Sequence, residues 1–433
     1  MKIVISDCYH DSDRGGTGIL IGLIEYLHVI SEKIGQPIEL SIIYRIHNDD
    51  RRFKSATRHI SKQYPKINIF SYPIKTERRY SGILKVFEVA SLFFLATFKL
   101  LFPCLSKHPT VLEIKNADLV IHKGGQFYRM VSPKSFRGFF QAFFSYYVSL
   151  LCISLKKRFI FLSHTFGPFN NNGARFLTKY VLKRASYVGC REAISCDILI
   201  KLGLSLKNLD VLPDTAFALP PESQNKKIFF EEKYKISMGS FVVFIGKKWS
   251  FPGNDEKNAQ IKYDKYIAVM ARAADYFAAQ LLKVLLVVHN DGLHSPQEND
   301  AVPIRDIYKK IKQKDKVLIV SDDLSSQEQS LLYGMAHMVI ATRLHAAIFA
   351  LISGSPCISI SYTHKTDGIM KMVGIDNYVL DIANLKYDNL KTMIDRLNQE
   401  RDKVMNKVKA RIELLRKELL MKIENIVFVN KKK

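Results

Sequence analysis

VIATRLHAAIFALISGSPCISISYTHK, residues Val339 to Lys365, reads as strand, helix, strand. VIAT is a short apolar strand. RLHAAIFALIS carries apolar residues at helical spacing, and the turn Gly354-Ser355-Pro356 leads into PCISISY, a second strand. Joining two parallel strands takes a crossover, usually a helix. The stretch therefore points to a parallel α/β sheet wound by helices.

The same alternation runs outward on both sides. Upstream lie SFVVFIGKK, KVLLVVHND and KVLIVSDD as strands, with helical segments between them. Nearer the start, KIVISD, PIELSIIYRI, ADLVIHKGG, RFIFLSHTFGPF and ASYVGCRE read as another set of strands. The polar run from Leu219 to Lys235 follows a Pro pair and reads as a linker. The expectation is two doubly wound, Rossmann-like domains, 1–220 and 236–386, facing a cleft, with a charged helical tail at 387–433. Ligands of such sheets bind at the carboxyl ends of strands.

A chain of 433 residues is long enough for two cores. Apolar residues at 47% and charged residues at 24% are globular proportions, which excludes a disordered chain. The net charge of +24 favours anionic partners: phosphorylated metabolites, a membrane face or nucleic acid. The charge is diffuse and no nucleic-acid module is present, which ranks nucleic acid last. Six Cys without a C-x-x-C pair read as reduced, mostly buried thiols of a cytoplasmic protein, with no zinc site. MKIVISD reads as a strand rather than a secretory leader.

Two apolar segments stand out. Val86 to Leu105 is interrupted by Glu88 and Lys99 and stopped by Pro103, so it falls short of the roughly 20 residues of a spanning helix. It reads equally as a buried helix or as a helix in a membrane interface, with Lys99 and Lys107 at head groups. Gly138 to Leu155 reads as an interior helix.

The polar residues at strand ends are the candidate site. Thr342 is placed to cap a helix that begins with Arg343 and His345. Backbone N–H groups and the dipole at such a helix start favour an anion. Arg adds a bidentate fork and His a tunable proton. Either residue alone reads as a carboxylate clamp or a core His; the pair, at a strand end, points to function. Lys247, His289 and Lys365 end neighbouring strands and complete a basic rim. In the first domain, Gly15 and Gly16 sit in a turn, DSDRGGTG, before a helix. Gly124 and Gly125 follow a strand, and Gln126, His122 and Asp7 lie at the same edges as acceptor contacts.

Five segments in order resemble the polysaccharide pyruvyl transferase family: HKGGQFY, SHTFGPF, CREAISCDIL, VLPDTAFAL and RLHAAIFALISGSPCISISYTHK. DSDRGGTG departs from the Asn-x-Gly-Asp-like turn common after the family's first strand. The resemblance implies a GT-B-like fold and transfer of the three-carbon unit of phosphoenolpyruvate to sugar hydroxyls, with release of phosphate. It implies no metal or cofactor. The acceptor would be a lipid-linked or nucleotide-linked precursor of a surface polysaccharide, met at the cytoplasmic membrane. On that reading Arg343 with Thr342 holds one anionic end of the donor and Lys365 or Lys247 the other. His345 is the proton donor or the group that supports phosphate departure, His289 the second choice, and Arg191 a further cation whose alternative is a salt bridge to Asp214. The competing reading is a glycosyltransferase using a nucleotide sugar, with Asp367 or Glu328 on the ribose.

Overall fold

The computed structural model describes residues 1–74, 82–130, 135–205, 207, 209–293 and 295–428. By its contacts the chain divides into two compact units. The first holds Met1–Asp11, Leu23–Thr215 and the chain from Leu419; the second holds Ser12–Gly22 and Ala216–Glu418.

The strands of the first unit are β1 (Lys2–Cys8), β2 (Glu39–Tyr44), β3 (Asn68–Phe70), β4 (Leu119–His122), β5 (Gly125–Met130), β6 (Phe159–Phe169), β7 (Tyr187–Cys190) and β8 (Leu209–Val211). They pair in parallel in the order β3-β2-β1-β4-β6-β7-β8, with β5 on β6. The second unit contains β9 (Phe241–Ile245), β10 (Lys283–Val287), β11 (Val317–Val320), β12 (Met338–Ala341), β13 (Cys357–Ser361) and β14 (Val379–Asp381). Their order is β11-β10-β9-β12-β13-β14, again parallel. This is the third-second-first-fourth-fifth-sixth order of doubly wound nucleotide-binding domains. Each sheet winds outward from its first strand, then starts its other half beside that strand. The switch falls between β1 and β4 in one unit and between β9 and β12 in the other. Ligands of such sheets bind at those points, outside the carboxyl ends.

The central strands are apolar on both faces because helices cover both: β9 and β12 are buried throughout. The helices used below are α1 (Arg14–Ile34), α2 (Gly82–Leu101), α3 (Ser135–Ser145), α4 (Tyr147–Ser154), α5 (Ser326–Gly334), α6 (Leu344–Ile352), α7 (His364–Val373), α8 (Tyr387–Gln399) and α9 (Arg401–Phe428). The expected helix over Gly138 to Leu155 is two, α3 and α4.

Three expectations are corrected. The charged tail is not a separate element. Within α9, Val408, Ile412, Leu415, Leu419, Ile423 and Val427 are buried at helical spacing, a stripe masked by the surrounding Lys and Arg. In the second unit Arg416 Nε donates to the Phe217 carbonyl at 2.6 Å. In the first, Lys422 Nζ meets Asp210 Oδ2 at 2.6 Å. The glycine-rich stretch is also not a turn of the first domain. The helix starts at Arg14, and Ser12–Gly22 packs with the second unit, where Ser326 Oγ donates to the Arg14 carbonyl at 2.7 Å. Finally, the expected linker at Leu219 to Lys235 contains a helix, Gln224–Tyr234, with Phe230 and Tyr234 buried.

Candidate functional site at the sheet switch of the second unit

Where the second sheet changes direction, β9 and β12 run side by side, with Ala341 paired to Ile245. The chain leaves β9 toward Lys247 and leaves β12 into Thr342 and Arg343. Beside them β13 leads to Tyr362 and the start of α7. The helices α6 and α7 therefore begin at one sheet edge. Their N-caps are Arg343 and Thr363, and neither side chain caps its helix. The dipoles of both helices are positive at these starts. The cap is one residue later than expected. Thr342 lies in the strand end, its Oγ1 bonded to the Tyr266 hydroxyl at 3.0 Å, so its hydroxyl faces the core and not a donor.

Arg343 is buried and fully engaged. Its Nε lies 3.1 and 3.0 Å from the two Asp300 oxygens, and Nη2 donates to Asp300 Oδ1 at 2.6 Å. Nη1 donates to Glu298 Oε2, and Nη2 to the Glu298 carbonyl at 3.0 Å. Lys247, also buried, gives its ammonium to the same Glu298 Oε2 at 2.6 Å. Burial works against the Glu298 charge, but Arg343 and Lys247 lower its carboxyl to about 2. Burial and the nearby Arg343 depress Lys247, and Glu298 opposes them. Burial likewise opposes the Arg343 charge; Asp300 and Glu298 prevail and raise it.

Tyr362 gathers the rest. The Lys247 and Lys365 ammonium groups stand 5.4 and 5.5 Å from its ring centre, and Trp249 packs against it at 4.6 Å. Lys247, Arg343 and Lys365 are thus brought to one edge. Glu298, Asp300 and Trp249 were not foreseen. The polar run QEND at 297–300 was the signal for the first two.

His345 is half-buried in the first turn of α6 and packs on Gly15 of α1. A Cβ on Gly15 would stand 2.1 Å from His345 Nδ1, and one on Gly18 2.7 Å from Phe349. These glycines are required by close packing inside the second unit, which corrects the acceptor-side reading of Gly15. Gly16 shares that first helical turn, not a phosphate-binding loop. His289 is buried, with Nδ1 3.2 Å from the Tyr333 hydroxyl. Burial first, then Arg343 and His345, push its pKa well below the usual value. It is a neutral imidazole, unsuited to donate a proton as a cation.

In the first unit, Arg191 lies at the end of β7, 1% exposed. Nη1 meets Asp214 at 3.0 Å and Nη2 donates to Thr165 Oγ1 at 2.6 Å, the salt-bridge alternative to a donor contact. Asp7 and His122 end β1 and β4 at that unit's switch, but both are interior. His122 Nδ1 lies 3.1 Å from Asp7 Oδ2, and Ser149 Oγ lies 2.9 Å from His122 Nε2. Burial opposes the Asp7 charge, and His122 with Arg45 holds the carboxyl far below the usual range. The order Ser-His-Asp is that of a nucleophilic triad, but Ser149 is 0% exposed and reaches no external substrate. As acceptor contacts, Asp7 and His122 are corrected to an internal network. Gly124 and Gly125 are set by strand packing: a Cβ on Gly124 would meet the Ser163 carbonyl at 2.9 Å, and one on Gly125 the Phe127 ring at 2.4 Å. Gln126 is half-buried in β5.

Among the described residues no group of three or more His, Cys, Asp or Glu is placed to hold a metal. Glu328, a ribose candidate of the nucleotide-sugar reading, is used in the capping box of α5 and pairs with Lys226 at 2.6 Å. Asp367 is exposed in the first turn of α7.

A family model described as polysaccharide pyruvyl transferase matches residues 38–364. The amylovoran biosynthesis protein AmsJ of Erwinia amylovora is 21% identical over 426 residues, covering 95% of this chain and 96% of that one. Among solved structures, a putative UDP-N-acetylglucosamine 2-epimerase from Listeria monocytogenes superposes with a TM-score of 0.58 at 12% identity, over 98% of this chain and 96% of that one. UDP-GlcNAc 2-epimerase from Neisseria meningitidis gives 0.57 at 11%, over 99% of each chain. Anabaena Alr3699/HepE gives 0.55 at 12%, over 99% of this chain and 98% of that one. These likenesses show the fold, a GT-B-like α/β architecture of two Rossmann-like domains with a C-terminal helix.

Proposed function

The chain belongs to the polysaccharide pyruvyl transferase family, and from that premise we propose that it moves the pyruvyl unit of phosphoenolpyruvate onto sugar hydroxyls of a surface-polysaccharide precursor. The supporting observation is that Lys247 and Arg343 converge on one carboxylate oxygen at the sheet switch, beside the starts of two helices. A donor carrying a carboxylate and a phosphate needs two cationic anchors in such a place. Lys365 supplies a third cation at the Tyr362 ring. The relative AmsJ is named for amylovoran biosynthesis, which supports an exopolysaccharide precursor, lipid-linked or nucleotide-linked, as acceptor.

Cyclic ketal formation balances as follows. The methylene carbon of phosphoenolpyruvate takes a proton and becomes a methyl group. A sugar hydroxyl adds to C2, and its proton restores the acid that protonated the methylene carbon. A second hydroxyl then displaces phosphate from C2, and its proton leaves with the phosphate. On this reading His345 delivers the first proton, a role worth about a hundred- to ten-thousand-fold.

The test is phosphate release from phosphoenolpyruvate with lipid-linked and nucleotide-linked sugars, beside Arg343→Ala and His345→Ala. Acceptor-dependent release that both variants lose is expected. No release with any acceptor, together with heat stabilisation by a nucleotide sugar, would move the assignment to a glycosyltransferase.

A further inference from the structure

A helix on a protein surface normally turns charged residues outward. On α2 and the turn after it, Phe87, Phe94, Phe98, Leu101, Phe102 and Leu105 are instead between 49% and 73% exposed. Phe87, Phe94, Phe98 and Leu101 recur at intervals of seven, four and three, so they form one stripe along the helix, and Phe102 and Leu105 follow it. The opposite face is also apolar and is occupied. Phe93 packs on Phe140 and Phe143 at 4.9 and 4.7 Å, Ala96 is 0% exposed, and the Tyr147 hydroxyl donates to the Ala96 carbonyl at 3.1 Å. The helix is therefore fixed to its unit by one apolar face and presents a second to solvent.

Contiguous exposed apolar surface of this kind marks an interaction site. Among the described residues no helix is long and apolar enough to cross a membrane. Charge decides the partner. The chain carries +24, Lys85 stands in the first turn of α2 by sequence, and Lys107 is exposed just past Leu105. Lys99 is not part of this set, because its ammonium turns inward to the Pro73 carbonyl at 3.0 Å. An apolar stripe on a cationic protein fits the boundary between anionic head groups and acyl chains.

We propose that the α2 stripe lies in the surface of an anionic bilayer, parallel to it, and holds the enzyme there as a peripheral protein. The contact is independent of the donor chemistry.

The experiment is co-sedimentation of the full chain with vesicles of phosphatidylcholine alone, or of phosphatidylcholine mixed with phosphatidylglycerol. A Phe94→Ser/Phe98→Ser/Leu101→Ser variant runs beside it. The wild-type chain is expected to pellet with the anionic vesicles. Binding should fall about tenfold or more on neutral vesicles and in the variant. The variant removes only exposed groups, so its melting temperature and its phosphate release with a water-soluble acceptor should match wild type. Equal pelleting of variant and wild type overturns the proposal. So does a wild-type chain that ignores anionic vesicles but forms dimers the variant lacks, which assigns the stripe to a second copy.

Discussion

Lys247 and Arg343 share one carboxylate oxygen, Glu298 Oε2. Two cations from the strand ends on either side of the sheet switch are thus bridged by an acid from a neighbouring loop. A carboxylate or phosphate oxygen of a substrate presents the same charge and the same acceptor geometry. Glu298 stands where such a group is expected to bind, and binding requires that it yield. Its side chain is 37% exposed, so it has room to move.

Glu298→Gln keeps the size of the side chain and removes the competing charge. The expected result is a KM for phosphoenolpyruvate about two- to fivefold lower, with kcat little changed, in proportion to the modest worth of a part-exposed pair. Phosphate-release kinetics check it. A raised KM would instead show that Glu298 helps to hold the donor.

The same carboxylate gives a pH signature. Its folded-state value, about 2, lies below the ordinary 4.5. A depressed acid contributes stability that is complete above its unfolded value and is lost as pH falls through the folded one. Urea midpoints of wild type and Glu298→Gln should differ by a constant amount above about pH 4.5 and converge as pH falls toward 2. A difference that grows on acidification would contradict the bridge.

Arg191 offers a test that separates structure from catalysis. It is buried against Asp214, so Arg191→Ala leaves an unpaired carboxylate in the interior and should cost about 3–5 kcal/mol in urea unfolding. Arg191→Met with Asp214→Leu removes both charges and should regain most of that stability. Phosphate release in the double variant then reports the catalytic role directly. Activity is expected to return with the stability, as for a structural residue. Its continued absence would give Arg191 a role beyond the salt bridge.

The strands around RLHAAIFALIS were legible because buried parallel strands are plain apolar runs, and Arg343, Lys247 and Lys365 were legible because each follows such a run. Asp300 and Glu298 were not. They come from the loop before a helix, and nothing in one dimension brings that loop over the end of β12. The stripe of α9 was hidden for another reason: its buried residues are spaced among Lys and Arg that stay in solvent. Gly15 and Gly16 were misread because a Gly pair usually interrupts a helix. Here the loss in helix propensity accompanies a contact with His345 that only a missing side chain permits.

That contact gives the sharpest prediction. Alanine is the better helix residue by about 1 kcal/mol, so Gly15→Ala would stabilise α1 if nothing lay above it. A Cβ there would come within 2.1 Å of His345 Nδ1 and 2.9 Å of its Cβ, so the imidazole must leave its place. The expected outcome is a kcat lower by about ten- to a hundredfold, the usual penalty for a misplaced catalytic group, with stability unchanged or reduced. In a His345→Ala background the ring is gone, and the same Gly15→Ala change should raise stability by up to about 1 kcal/mol. Thermal unfolding of the four chains of this cycle reads the contact itself, and phosphate release reads its consequence. If Gly15→Ala stabilises the wild-type background as much as the His345→Ala one, the two residues are not in contact and the placement of His345 at this edge is wrong.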